Sequence, residues 1–215
     1  VDVNRARDEL DQRMFADPLP SNADMRSTRV RAGLGVIPRI VADGQDIYDR
    51  KLKFFEARRR LTDCYDIYHR ELAALIDQSL ARFGCAVLID CHSMPSAGAL
   101  PFRENERPLD IVLGDRFGAS CSGAITAAAE TTLTGLGYQV SRNAPYAGGH
   151  VAAAYGRPLE GVHVLQIEIN RALYLDERRI ARTEGFERLK DHLKVLMGEL
   201  ARFSPAALRP ARAAE

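Results

Sequence analysis

Val162-His163-Val164-Leu165-Gln166-Ile167-Glu168-Ile169 is the stretch whose reading decides the fold. The run is too short for a buried helix and too apolar for a loop, so it reads as a strand covered on both faces. Cys85-Ala86-Val87-Leu88-Ile89-Asp90-Cys91 has the same character. Leu109–Leu113 and Tyr138–Ser141 are two further predicted strands. Helical patterns separate them. From about Tyr48 to Phe83, Leu61, Tyr65, Tyr68, Leu72, Leu75, Ile76 and Leu80 recur at three- and four-residue steps, and Gly84 ends the helix. A second helix is expected from about Ala119 to Leu136, and a long amphipathic one from about Glu177 to Phe203. Strands alternating with helices imply a single α/β domain with a mostly parallel or mixed central sheet and helices on both faces.

The edges of the chain carry weaker signals. Val1-Asp2-Val3-Asn4-Arg5 reads as the end of a strand with nothing before it, which suggests a missing N-terminal segment. Residues 6–47 show no sustained period and read as a long surface excursion with a short helix near Glu9–Phe15. The domain is expected over 1–204. Residues 205–215, rich in Ala, Arg and Pro, are expected to form a flexible tail.

Composition removes several function classes. The 215 residues carry 30 basic and 29 acidic side chains, a net charge of +1, which gives no electrostatic case for nucleic acid or an anionic membrane. No stretch approaches the roughly 20 apolar residues of a membrane helix. Cys64, Cys85, Cys91 and Cys121 form no CxxC pair and read as reduced, packed thiols, which fits a cytoplasmic protein.

Active sites in such folds gather at the carboxyl ends of the strands. Asp90-Cys91-His92-Ser93 closes one strand and Gln166-Ile167-Glu168-Ile169-Asn170 closes another. Alternation puts Asp90 and His92 on one face and Cys91 on the other, so His92 and Cys91 are poor candidates to share a metal. His92 suits metal binding or proton transfer with Asp90 orienting it, or a backbone-bonded strand end. Glu168 shares a face with Val162, Val164 and Gln166, while His163 faces away. A carboxylate there suits a general base or acid; the alternative is a buried ion pair with Arg142 or Arg171. Asn4-Arg5 offers a planar, multi-donor surface for a carboxylate. His69, His163 and His192 read as packed or surface residues, and His150 follows Gly148-Gly149 in a loop that borders a pocket. The Gly118–Gly123 stretch around Cys121 suggests a cysteine nucleophile or, more simply, a tight turn into a helix.

Taken in order, these motifs resemble the N-formylglutamate amidohydrolase family, which is related in fold to the zinc carboxypeptidases and aspartoacylases. The resemblance runs through Asp2–Arg5, Tyr65–His69 with Leu72, Asp90–Ser93, Leu113–Asp115 with Ser120-Cys121, Asn143 with Gly148-Gly149, Tyr155–Pro158 and Gln166–Glu168. Asp-Cys-His-Ser and the Gln-x-Glu strand are its specific part. It implies a zinc-carboxypeptidase-like (phosphorylase/hydrolase-like) fold, Zn2+ as cofactor, His92 as one ligand with the others upstream of Val1, and Glu168 as the carboxylate that activates water and protonates the leaving amine. It also implies substrate contacts from Asn4, Arg5, Gly148 and Gly149. The implied reaction is hydrolysis of a small N-acyl amino acid in histidine catabolism, with no nucleic-acid or membrane partner. Related readings are a carboxypeptidase or amidase acting on peptide or cell-wall fragments, a zinc-free binder of acidic ligands, and a Cys121 thiol hydrolase. Ala153 and Ala154 stand where the formylglutamate enzymes carry an Arg-His pair.

Overall fold

Asp2 turns the chain where an extended strand was expected. Its carboxylate accepts from the Asn4 backbone N–H at 2.9 Å, which closes a tight turn across residues 3–5. The computed structural model describes residues 1–41, 44–99 and 107–208. It divides into two compact units, Val1–Leu75 and Ile76–Glu215.

In the first unit, the region read as a surface excursion has a core of its own. Leu10, Met14, Phe15, Val36, Ile37 and Leu52 are buried together with Ala57, Leu61 and Tyr65. A short 3-10 turn, Gln12–Met14, is capped by Asp11, and α1 (Thr28–Arg31) by Ser27. Apolar residues spaced irregularly over loops escape a periodicity search, yet they bury as well as periodic ones. Asp11 is the polar hub here. It pairs with Arg13 at 2.8 Å and Arg39 at 3.1 Å.

The first long helix begins at Phe54, later than the pattern from Tyr48 suggests. The Glu56 carboxylate accepts from the Lys53 N–H at 2.9 Å and fixes the start there. The helix comprises α2 (Phe54–Arg60), a π turn over Leu61–Tyr65 and α3 (Asp66–Phe83), and Gly84, at φ +73°, stops it. Tyr65 Oη donates to the Arg5 carbonyl at 2.8 Å, and His69 Nε2 lies 3.0 Å from the Val3 carbonyl.

The second unit holds the sheet. β1 (Ala86–Met94), β2 (Ile111–Gly114), β3 (Val140–Arg142) and β4 (Val162–Asn170) assemble in the order β1-β4-β2-β3. β1 is parallel to β4 and β2 to β3, whereas β2 and β4 are antiparallel, so the sheet is mixed. Every residue of β4 is buried, as its unbroken apolar run demands. Its odd residues Leu165, Ile167 and Ile169 face α4 (Gly123–Gly135) and α6 (Gly185–Leu200) through Ile125, Ala129, Leu133, Leu189, Leu196 and Leu200. Each such aliphatic side chain contributes about 1.5–3 kcal/mol when fully buried. The even face is covered in part by α5 (His150–Tyr155). The α/β arrangement with helices on both faces is the one expected.

Three local expectations fail. Two of the thiols expected to be packed are exposed: Cys64 on the π turn, and Cys91 because β1 is an edge strand among the described elements and only β4 shields it. The last helix begins at Gly185 instead of Glu177. Asp176 Oδ1 accepts from the N–H groups of Arg178 and Arg179 and turns the chain into a hairpin of β5 (Leu175–Asp176) and β6 (Ala181–Arg182). Finally, Pro205–Leu208 of the expected tail forms a helical turn, α7, with Leu208 buried in the core. Residues 209–215 lie outside the described set. No described helix is long and apolar enough to cross a membrane.

Candidate functional site

His92 and Glu168 stand opposite each other in register on the adjacent parallel strands β1 and β4, as do Asp90 and Gln166. In-register neighbours on a sheet project to the same face, with strands about 4.8 Å apart. Two carboxylates, an imidazole and an amide therefore share the even face, near the carboxyl ends of the two longest strands. On the other face, His163 is fully engaged. Its Nδ1 accepts from the Ser122 N–H at 3.2 Å and its Nε2 donates to the Leu208 carbonyl at 2.9 Å, which makes it a structural residue.

Hydrogen bonds organise the even face. Asp90 Oδ1 lies 2.9 Å from His92 Nε2, so the carboxylate fixes the ring. The second oxygen, Asp90 Oδ2, is buried and has no hydrogen-bond partner among the described residues. Gln166 Nε2 donates to Glu168 Oε1 at 3.0 Å, and Gln166 Oε1 accepts from the Gly149 N–H at 2.6 Å. Glu168 is only 9% exposed. Of the arginines considered as its structural partners, Arg142 pairs with Glu130 and Arg171 donates to Ser93 Oγ.

The turn before α5 is held against β2. Asn143 Nδ2 donates to Asp115 Oδ1 at 2.7 Å, while Asn143 Oδ1 accepts from the Asp115 N–H at 3.1 Å. Gly148 adopts φ +121°, and a Cβ there would meet Arg116 Cγ at 2.9 Å and Ala152 Cβ at 3.2 Å. A Cβ on Gly114 would lie 2.7 Å from the Gly148 nitrogen. The two glycines permit the close approach that sets Gly149 over Gln166.

Asn4 and Arg5 belong to the first unit, where both are already engaged. Asn4 is buried, and Arg5 donates to the Leu34 carbonyl at 3.1 Å and the Asn4 carbonyl at 2.6 Å, with Asp2 at 3.4 Å. The structure brings His92, Glu168 and Gly149 together in the second unit; Gly148 adjoins them. Gln166 was visible as a polar residue inside an apolar strand, but its bond to Gly149 was not.

The Cys121 nucleophile reading does not survive. Its thiol is 1% exposed in the core, and burial pushes it up to about 12. The turn reading holds instead, since Ser122 caps α4 by accepting from the Ala124 N–H. An apolar cavity of about 540 Å3 lies against Ile169, Tyr174 and α6, with His92 among its lining residues. It sits against the odd face, so the hydrogen-bonded set, not this cavity, marks the site.

A carboxylate that orients an imidazole is a familiar support for a metal ligand, and an orphaned buried oxygen beside it is consistent with a polar site. A catalytic zinc, however, takes three protein ligands. Among the described residues no group of three His, Cys, Asp or Glu side chains could hold an ion. These residues offer one imidazole and do not complete a zinc site.

A family model described as N-formylglutamate amidohydrolase matches residues 1–175. An N-formylglutamate deformylase of Pseudomonas aeruginosa is 32% identical over 181 residues, covering 83% of this chain and 61% of that protein. A second, from Pseudomonas putida, is 29% identical over 149 residues, covering 68% and 55%. The chain thus spans about three fifths of the length of these relatives. A crystal structure of N-formylglutamate amidohydrolase from Ralstonia eutropha superposes with a TM-score of 0.85 at 37% identity, over 94% of this chain and 71% of that one. An Agrobacterium tumefaciens gene product shares the fold, with a TM-score of 0.58 at 20% identity over 93% and 64% of the two chains.

Proposed function

The chain belongs to the N-formylglutamate amidohydrolase family, and from that premise we propose that it hydrolyses the amide of an N-acyl amino acid, N-formylglutamate first among them. The observation that carries this reading is the in-register pairing of His92 with Glu168 on one face of the sheet.

Amide hydrolysis needs a base for the attacking water and an acid for the departing nitrogen. One carboxylate can do both in turn. In this proposal Glu168 takes a proton from water as the oxygen attacks the acyl carbon. It then delivers that proton to the nitrogen as the C–N bond breaks, leaving a carboxylic acid and the free amino acid. Gln166 aims the carboxylate, and Asp90 holds His92. The Gly148-Gly149 turn borders the bound substrate. Zinc belongs to the proposal as an ion for which His92 would supply one ligand. When bound, it would supply Lewis acidity and a more acidic water. The proton transfers above are assigned to the protein's own side chains.

The test is hydrolysis of N-formyl-L-glutamate by the full-length protein and by its Glu168→Gln variant, with metal analysis of both. A loss of at least about a hundredfold in kcat is expected. Full activity in the variant removes Glu168 from the mechanism. N-acetyl and peptidyl amino acids belong in the same assay, because exposed Ala153 and Ala154 on α5 favour a second reading in which another acyl or peptidyl group is preferred.

A further inference from the structure

We infer that Gln166 is a positioning residue that fastens the Glu168 carboxylate to the Gly148-Gly149 turn. The inference rests on the reading of Glu168 as the proton carrier and adds a role for a residue to which that reading gives no chemistry of its own.

Gln166 is 3% exposed in the middle of β4, flanked by Asp90 on β1 and Gly114 on β2. A polar side chain in such a place must satisfy both ends of its amide. The orientation is dictated by its neighbours. The Gly149 N–H can only donate, so it requires the amide oxygen, and the NH2 group is thereby turned to Glu168 Oε1. Residues two apart on a strand share a face, and the Gln side chain has the length to span them.

The far end of this link is fixed by packing. A methyl group on Gly114 would collide with the Gly148 nitrogen at 2.7 Å, one on Gly148 would collide with Arg116 Cγ at 2.9 Å, and the Arg116 N–H donates to the Ala147 carbonyl at 2.8 Å. The Gly149 N–H therefore stays where β2 puts it. Through one amide, that position is handed to the carboxylate. No other side chain reproduces both bonds. Met leaves a buried N–H and a carboxylate oxygen without this partner. Glu retains the bond from Gly149 but sets a second carboxyl group against Glu168, so that the pair shares a proton and the charge of the proton carrier is altered. Asn lacks the reach.

The experiment compares Gln166→Met and Gln166→Glu with wild type, using N-formyl-L-glutamate turnover and the carboxyl 13C signal of Glu168 in glutamate-labelled protein. The signal is assigned by its loss in Glu168→Gln. Both variants are expected to lose at least about tenfold in kcat while KM stays within about threefold, because misplacing a reacting group costs rate more than affinity. The Glu168 signal is expected to shift in both. A kcat within twofold of wild type, or an unmoved signal, overturns the inference. If Gln166→Met does not fold, Gln166→Glu, which retains the acceptor for Gly149, decides the matter. If wild type shows no turnover, or Glu168→Gln is fully active, the functional reading falls, and the carboxyl signal alone then decides whether Gln166 holds Glu168.

Discussion

Asp90 Oδ1 lies 2.9 Å from His92 Nε2, while its other oxygen is buried and has no hydrogen-bond partner among the described residues. An unmatched carboxylate oxygen is unfavourable in a folded protein, so Asp90 carries a cost in stability. Replacing it with Asn removes the charge that supports the ring and, with it, the cost of burying that charge. Asp90→Asn is expected to lower kcat, or metal affinity, by about 10–100-fold. Its thermal midpoint should match or exceed that of wild type. Unimpaired turnover in this variant would show that His92 needs no support.

Gly148 predicts a loss of activity from adding a single methyl group. At φ +121° an alanine is strained, and its Cβ meets Arg116 and Ala152. Gly148→Ala is expected to destabilise the protein by about 1–3 kcal/mol and to depress kcat. Urea unfolding measures the first and steady-state kinetics the second. Gly118→Ala is the control. It also lies at positive φ, but its Cβ would meet open space, so any effect should be confined to stability.

Asp11 anchors the acid stability of the first unit. Burial pushes its carboxyl up, but hydrogen bonds from the Arg13 side chain and backbone and from Arg39 outweigh this and hold it below its ordinary 3.8. A depressed carboxyl contributes stability above its unfolded value, and that contribution is lost as pH falls through the folded value. Asp11→Ala is expected to cost about 1–3 kcal/mol at pH 7. Below pH 3.8 the difference from wild type should shrink, as denaturant unfolding at pH 7 and pH 3 would reveal.

Cys121 shifts in the opposite sense. Its thiol, pushed up from 9.0 to about 12 by burial, stabilises the fold below 9.0, and this contribution fades as pH rises towards 12. Cys121→Ala should show a shallower alkaline decline, at a cost of about 1 kcal/mol at neutral pH. Iodoacetamide at neutral pH is expected to label exposed Cys64 and Cys91 and leave Cys121 intact, as peptide mass mapping would show.

Much of this architecture was legible in the residues. Val162–Asn170 declares itself because an unbroken apolar run must be buried on both sides, and parity then assigns Gln166 and Glu168 to one face. Parity does the same for Asp90 and His92. The register that sets His92 against Glu168 depends on how two distant strands align, which no local pattern encodes. Side-chain-to-backbone bonds account for other misses. Asp2 and Asp176 each accept from an N–H two residues on and turn the chain where propensity alone predicted strand or helix. Cys91 looked packed because its run is as apolar as that of β4, but position within the sheet, not composition, decides burial.

The π turn at Leu61–Tyr65 bears on how this protein tolerates changes of length. Its bond from the Asp66 N–H to the Leu61 carbonyl encloses one more residue than an α turn. The surplus is absorbed locally, and the ladder resumes beyond it with the side-chain phase preserved. A deletion of Thr62 would let the helix close up there and leave His69 aimed at the Val3 carbonyl. The same deletion one turn later, with no slack to take up, would rotate His69 by about 100° around the axis and break that contact.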